Sequence, residues 1–196
     1  MKGLTENANE VMERLGDTES ARNTAIAGSR AVIRSTKAVI HSIHLGKPDM
    51  EAVGTMDRLM ADLISSVGNS PEILCGPAAE DAMMEFAEAR LFLAVYGKKE
   101  LPSYQVLGIS PKAWAMGLCD VLGEMRRLLL THLMSSDLGK AKDLFSDMEE
   151  ISDAIMLFDV PDAVAPIRRK QDIARGIMEK TRSDLATAIA ASRMKL

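Results

Sequence analysis

The sequence predicts an all-α protein, a bundle of about six or seven helices, and three observations support that fold class. Between its prolines the 196-residue chain has long segments in which apolar residues recur with a period near 3.6. No segment shows the alternating apolar and polar pattern of a half-buried strand. Aromatic residues make up only 4% of the chain while Met reaches 14 residues, so helix-forming Ala, Leu and Met must fill much of the core.

The prolines mark where the helices begin and end. Ser110-Pro111 and Gly76-Pro77 pair a cap or turn residue with a proline in the first turn of a helix. We expect one domain over residues 1–196, and several of its helices exceed the usual globular length, which favours burial against further copies of the chain. The predicted helices cover about 5–45, 48–67, 71–75, 77–97, 111–135, 138–159 and 166–193, with a loop at 98–110.

Composition limits the classes of protein to consider. A net charge of −4 argues mildly against nonspecific binding of duplex nucleic acid, although charge can be segregated by face. The polar start MKGLTENANE and the lack of a long uncharged apolar stretch predict no signal peptide and no membrane span. Cys75 and Cys119 lie among apolar residues without metal-binding spacing, which predicts reduced core thiols in a cytoplasmic protein.

Two apolar helices carry acidic residues at helical spacing. In PAAEDAMMEFAEARLFLAVYG, Asp81, Glu85 and Glu88 are spaced i, i+4, i+7 and share one face. In PKAWAMGLCDVLGEMRRLLLTHLM, which is apolar on almost every side, Asp120 and Glu124 follow the same spacing. A buried carboxylate is costly unless it is paired or bound to a metal, so this second pair needs a partner.

If the two acidic faces meet, Glu85, Glu88, Asp120 and Glu124 form a carboxylate cluster. Oxygen ligands of this kind suit Mg²⁺ or Mn²⁺, and the absence of His from both faces argues against zinc and against a di-iron site. A carboxylate-held ion of this type suits phosphodiester hydrolysis. The alternatives are a solvated acidic face, a simple Glu124–Arg127 ion pair, or Arg126 paired across a subunit contact.

Basic residues form a strip along the first long helix. Arg30, Arg34, Lys37, His41 and His44 in SRAVIRSTKAVIHSIH follow one another at spacings of four and three. Such a strip predicts phosphate contacts with a single strand, and a solvated amphipathic face is the alternative.

Two further sets of cations extend this prediction. Arg127, on the same face as Asp120 and Glu124, is another candidate nucleic-acid contact. The last long helix also has a basic character, for which salt bridges to neighbouring helices are the alternative. Its cations are Arg168, Arg169, Lys170, Arg175 and Arg182.

Four segments in register resemble the translin family, in its compact prokaryotic and archaeal TRAX-like form. They are SRAVIRSTKAVIHSIH, EFAEARLF, LPSYQVLGISPKAWAMGLCDVLGEMRR and DVPDAVAPIRRKQDIARGIMEKTRSDLA, within residues 28–190. TRAX-type subunits resemble this chain in having E-x-x-E on one helix and G-x-x-D-x-x-G-E on a later one. Translin-type subunits carry a basic residue where Glu88 stands, and the short loop at 98–110 replaces the long acidic insert of animal TRAX.

The resemblance implies an all-α, translin-like fold that assembles into a homo-oligomer, with an octamer as the family's form. It implies a metal-dependent endoribonuclease in which Glu85, Glu88 and Asp120 are catalytic and hold Mg²⁺ or Mn²⁺, with Glu124 in support. Single-stranded RNA would be cleaved inside the oligomeric shell. A non-catalytic protein that binds single-stranded RNA or DNA is the alternative, and a structural oligomer whose acids form inter-subunit salt bridges is the third.

Overall fold

The protein is described by a computed structural model that covers residues 3–67 and 70–194. Within those residues it contains eight helices and no strand, so the all-α prediction is confirmed. Two of the eight helices are single turns, which leaves six long ones. The helices are α1 (Leu4–His44), α2 (Met50–Val67), α3 (Pro71–Leu74), α4 (Pro77–Tyr96), α5 (Tyr104–Leu107), α6 (Pro111–Met134), α7 (Leu138–Met156) and α8 (Ile167–Arg193).

Side-chain caps account for where α6 and α7 begin. The Ser110 hydroxyl accepts a hydrogen bond from the backbone N–H of Ala113 at 3.0 Å, directly before the proline that opens α6. The Asp137 carboxylate accepts one from the N–H of Lys140 at 3.1 Å and starts α7 in the same way. Each cap satisfies a backbone donor that the first turn of a helix leaves without a partner.

The segment predicted as a loop at 98–110 contains the one-turn helix α5. The Ser103 hydroxyl caps it by accepting from the N–H of Val106 at 3.3 Å, and Gly108 ends it with φ at 66°. The Trp114 indole N–H donates to the Pro102 carbonyl at 2.8 Å and ties this segment to α6. A single turn gives no periodic signal in the sequence, which is why the prediction missed it.

Helix α1 packs on the bundle along its C-terminal half and is exposed along its N-terminal half, which we call the uncovered half. From Ala25 to Ile43, buried residues recur at spacings of three and four along the face that packs on the bundle. The same spacing continues backwards through Val11 and Leu15, yet these side chains are exposed, Leu15 at 59%. Neither α1 nor any other helix in residues 3–67 and 70–194 is both long enough and apolar enough to cross a membrane.

Helices α4 and α6 lie at the centre of the core. Leu91, Phe92, Leu122, Met125 and Leu129 are fully buried, and each of the two helices buries residues on several faces. Both helices therefore pack against neighbours on more than one side, as the apolar character of α6 predicts.

The prediction of two core thiols is wrong for one cysteine. Cys119 is buried in the middle of α6, but Cys75 is exposed. Cys75 follows the single turn of α3 and precedes Gly76 in the connection to α4, where it has no core to enter.

Gly117 allows α4 and α6 to approach closely. A Cβ atom built at Gly117 would lie 2.7 Å from the Ala87 Cβ and 2.7 Å from the Met84 carbonyl oxygen. It would also lie 3.0 Å from the backbone nitrogen of Glu88. No side chain larger than hydrogen fits there without moving a helix, so Gly117 fixes the distance between the two acidic helices.

Helix α8 is tied to its neighbours by two polar anchors. The Arg126 guanidinium donates to the Thr181 hydroxyl at 2.9 Å and to the Asp184 carboxylate at 2.7 Å. The Gln171 amide donates to the carbonyl oxygens of Ile155 at 3.0 Å and Phe158 at 2.8 Å. Arg126 therefore pairs within its own chain, whereas the sequence had left a subunit contact open for it.

We expect Gly117→Ala to lower the free energy of unfolding by about 1–3 kcal/mol, because an overpacked contact outweighs the gain in helix propensity. Gly123→Ala, six residues later on the same helix, is the matched control, since a Cβ there meets nothing within 4 Å. The control should be neutral or stabilising. Denaturant unfolding of both variants checks this, and equal stabilities would contradict the close contact.

Candidate functional site

Four carboxylates from two helices lie within electrostatic reach of one another, and we call them the carboxylate cluster. Glu85 and Glu88 lie on α4, and Asp120 and Glu124 lie on α6. The charges of Asp120, Glu85 and Glu124 all act on Glu88, which stands beside the Gly117 contact. The two acidic faces that the sequence placed on separate helices are thus brought together by helix packing.

Burial and crowding change the acidity of the α4 pair. Burial, with the carboxylates of Asp120, Glu85 and Glu124 as further causes, raises the pKa of Glu88 from 4.5 to about 8. Burial and the nearby Asp120 charge also raise the pKa of Glu85, against an opposing effect of Lys37 and Lys170. Glu88 therefore holds a proton at neutral pH, chiefly because the side chain is largely removed from water and secondly because three carboxylates lie near it.

The two carboxylates on α6 are each paired with a cation or with an imidazole. Asp120 Oδ2 contacts the ammonium group of Lys170, which comes from α8. Glu124 Oε2 contacts Nε2 of His44 from the end of α1, and it lies 3.8 Å from NH1 of Arg127. The i, i+3 pair that the sequence offered as an alternative for Glu124 and Arg127 is therefore present, with a closer histidine beside it.

The structure does not place His44 in the exposed basic strip that the sequence predicted for it. Its side chain is only 7% exposed, and its ring centroid lies 5.2 Å from that of Phe92. Nδ1 is buried and has no hydrogen-bond partner among the described residues. His44 lies four residues after Ile40 and next to Ile43, both of which are buried, so its side chain faces the bundle rather than solvent.

The carboxylate cluster fits a hard divalent cation by its chemistry. Every donor is a carboxylate oxygen, as Mg²⁺ and Mn²⁺ prefer. Across residues 3–67 and 70–194, however, no three acidic, histidine or cysteine side chains stand close enough to share an ion. Lys170 and His44 each contact one of the α6 carboxylates, so joint ligation requires a rearrangement of side chains.

The remaining residues of the α1 strip form an exposed row beside the cluster. Arg30, Arg34, Lys37 and His41 are all exposed, and the row extends for about 16 Å at the rise of an α-helix. Its three Arg and Lys side chains form no salt bridge within the described residues. The charge of Lys37 acts on Glu85, so the row reaches the carboxylate cluster at this point.

The basic residues of α8 are mostly neutralised by neighbouring acids. Arg168 pairs with Asp159 at 3.8 Å, and Arg182 pairs with Glu149 at 3.0 Å. Arg175 pairs with an acid on its own helix, and Lys170 pairs with Asp120. Salt bridges to neighbouring helices, the alternative for α8, are therefore present for Lys170 and Arg182. Arg168 and Arg175 pair with acids elsewhere, so most of the cations of this stretch have an acidic partner, in contrast to the Arg and Lys side chains of the α1 strip.

The sequence missed three residues that build this site. Gly117 was visible only as part of a motif, His44 was assigned to the basic strip as a nucleic-acid contact, and Lys170 was only part of a basic stretch, so the roles of all three beside the carboxylates were missed. Lys170 is 50 residues from Asp120, so no helical spacing could join them. The one available signal was that a carboxylate inside an apolar helix needs a partner.

The pKa of Glu88 makes stability depend on pH. Because the folded protein holds this proton more tightly than the unfolded chain, the Glu88 contribution is fully present below pH 4.5 and is lost as pH rises through about 8. We expect Glu88→Gln to match wild type near pH 5 and to melt about 3–6 °C higher at pH 9.

Thermal melting across this pH range, without divalent ions, measures the difference. Glu100→Gln, an exposed acid in the connection between α4 and α5, is the control and should follow wild type at every pH. Parallel curves for Glu88→Gln and wild type would show that Glu88 is ionised in the folded protein.

The chain is similar to solved structures of C3PO proteins. It is 31% identical to AfC3PO, with a TM-score of 0.85 over 94% of this chain and 98% of that one. AfC3PO in complex with duplex RNA matches with a TM-score of 0.76 and 29% identity, covering 94% and 97% of the two chains. Apo-NeC3PO, at 18% identity and a TM-score of 0.79, covers 96% and 98% and shares the fold.

Sequence comparison adds one relative. An uncharacterized protein of Methanocaldococcus jannaschii is 29% identical over 184 residues, which is 92% of this chain and 82% of that protein. No protein-family model matches the chain. The identity to AfC3PO extends over almost the whole of both chains, and C3PO proteins are of the translin type. The chain therefore belongs to the translin family.

Proposed function

We propose that this protein is a metal-dependent endoribonuclease that cleaves single-stranded RNA by phosphodiester hydrolysis. One observation supports the proposal: the charges of Glu85, Asp120 and Glu124 on two core helices all act on Glu88, and Lys37 of the α1 strip acts on Glu85. Glu85, Glu88 and Asp120 would hold Mg²⁺ or Mn²⁺, with Glu124 in support. The chemistry supplied by such an ion is activation of water and neutralisation of charge at the scissile phosphate.

The protein's own residues bind and orient the strand in this proposal. Arg30, Arg34 and Lys37 contact backbone phosphates, because exposed cations without acidic partners are the ones available to a polyanion. Lys37 lies closest to the cluster among them, since its charge acts on Glu85. His44 holds the Glu124 carboxylate in place, and Arg127, 62% exposed, is a further phosphate contact at the rim.

One solved relative supports RNA as the ligand, without regard to strandedness. The structure of AfC3PO in complex with duplex RNA has been solved, and the protein in that complex is 29% identical to this chain. The preference for single strands is our proposal, based on a basic row beside a partly buried cluster. Because aromatic platforms for stacking bases are scarce, recognition would depend on backbone charge and pocket shape. We also propose that the protein forms a homo-oligomer, and by resemblance to the family an octamer. The reason is that the apolar side chains of α1 before Ala25 are exposed in a single chain.

We expect wild type to cleave labelled single-stranded RNA with Mg²⁺ or Mn²⁺ and to stop when the ion is chelated. Glu85→Gln and Asp120→Asn should each slow cleavage by about a hundredfold or more, as loss of a metal ligand does. Asp81→Asn is the matched control, because Asp81 is exposed one turn before Glu85 on the same helix. Undiminished cleavage by both cluster variants would contradict the assignment of Glu85 and Asp120 as catalytic metal ligands. Cleavage of a duplex of the same sequence, measured in parallel, tests the strand preference.

A binding protein without hydrolysis is the second candidate function. It is favoured by the contacts that Lys170 and His44 make with the cluster, because carboxylates satisfied in this way can be structural. Tight RNA binding without any metal-dependent product in the same assay would identify this case.

The basic strip can be tested separately from catalysis. We expect Arg34→Gln to weaken RNA binding about three- to tenfold and to reduce the salt slope by about one, because one phosphate contact is lost. Arg14→Gln is the control, since Arg14 is exposed on the uncovered half of the same helix. Fluorescence anisotropy over a series of salt concentrations measures both. Equal losses in the two variants would mean that α1 acts only through total charge.

A further inference from the structure

Lys170 brings a positive charge from α8 into the space between α4 and α6. Its ammonium contacts Asp120 Oδ2 and lies 3.4 Å from both the Met116 carbonyl oxygen and the Met84 sulfur. The side chain is only 18% exposed. The charge also opposes the raised pKa of Glu85 and of Glu88, so it acts on three members of the carboxylate cluster.

The attachment of α8 does not depend on this lysine. Gln171, the next residue, donates two hydrogen bonds to the end of α7, and Arg126 bridges α6 to Thr181 and Asp184. Those anchors join neutral groups or use the forked guanidinium, which holds its partners in a fixed geometry. Lys170 makes one charged contact and two long ones, so its position is explained by the charge of Asp120.

We propose that Lys170 is a built-in competitor of the metal ion: its ammonium contacts Asp120, and a divalent cation must displace it to bind there. This inference rests on the proposed function, because it concerns how the same cluster is filled. Lys170 would thereby set the concentration of Mg²⁺ or Mn²⁺ at which the site is occupied. It is a positioning residue, since it acts through Asp120.

The exchange is physically reasonable for a lysine. An ammonium is a strongly hydrated point charge on a flexible stem, so it can leave a carboxylate by rotating its side chain. A cavity of about 450 Å³ lies between α6 and α8 and is lined by Asp120, Gly123 and Lys170 itself, which leaves room for that rotation. A divalent ion brings two positive charges to Asp120 where the ammonium brought one, so it is attracted more strongly by the carboxylate.

Metal binding measured without RNA tests the proposal. We expect Lys170→Met to bind Mn²⁺ about tenfold more tightly than wild type, by titration calorimetry and by the loss of the free-ion electron paramagnetic resonance signal. Lys170→Arg keeps the charge and should bind no more tightly than wild type. Arg169→Met is the matched control, since it removes an exposed charge from the adjacent residue and should change the Kd less than twofold.

Melting temperatures show whether Lys170→Met is folded and give a second readout. Without metal the variant should melt below wild type, because Asp120 loses its cation, and saturating Mn²⁺ should raise its melting temperature more than that of wild type. A Kd equal to or weaker than that of wild type would overturn the competition while leaving the metal site intact. If neither protein binds Mn²⁺ up to millimolar concentrations, both the competition and the proposed metal site fail.

Discussion

The contact between α4 and α6 at Gly117 is the constraint on which the rest of the site depends. Atoms of Ala87 and Met84 occupy the space that any side chain at Gly117 would need, so the helix axes are as close as backbone packing allows. At this separation Glu88 lies among the charges of Asp120 and Glu124. The carboxylates are also partly removed from water, since the side chains of Asp120 and Glu124 are 34% and 25% exposed.

Charge balance follows from that contact. Two carboxylates on α6 obtain partners from distant helices, Lys170 from α8 and His44 from α1, and Glu88 keeps a proton instead. Side chains from two distant helices, together with one retained proton, thus compensate for the close approach of α4 and α6. A change in any one of these partners therefore alters the electrostatic potential at the other carboxylates.

Much of this arrangement could be predicted from the sequence, because it is encoded in periodicity. Spacing of three and four residues located the helices, their apolar faces and the acidic face of each, and the caps at Ser110 and Gly76 located helix starts. Residue spacing describes one helix at a time, however, and does not show which residues from distant helices contact that helix. Lys170 and His44 were therefore assigned to surface strips, although the structure places them beside Asp120 and Glu124.

Other differences have equally local causes. The single turn of α5 is too short to produce a periodic pattern. Cys75 has apolar neighbours in the sequence, like a core residue, but it lies in the exposed connection between α3 and α4. The family resemblance rested on whole segments in register, so it identified the fold without depending on these details. It also directed attention to Glu85, Glu88 and Asp120, which helix packing then explains.

The uncovered half of α1 has a consequence for how the molecule opens. Around Val32 the helix is sealed by its neighbours, whereas around Val11 nothing but its own hydrogen bonds keeps it wound. A helical stretch of that length is only marginally stable in water. In a single chain, backbone amides near Val11 should exchange with solvent through local fraying and those near Val32 only when the whole bundle unfolds. One geometrically continuous rod thus contains two cooperative units, and their junction lies close to Ala25.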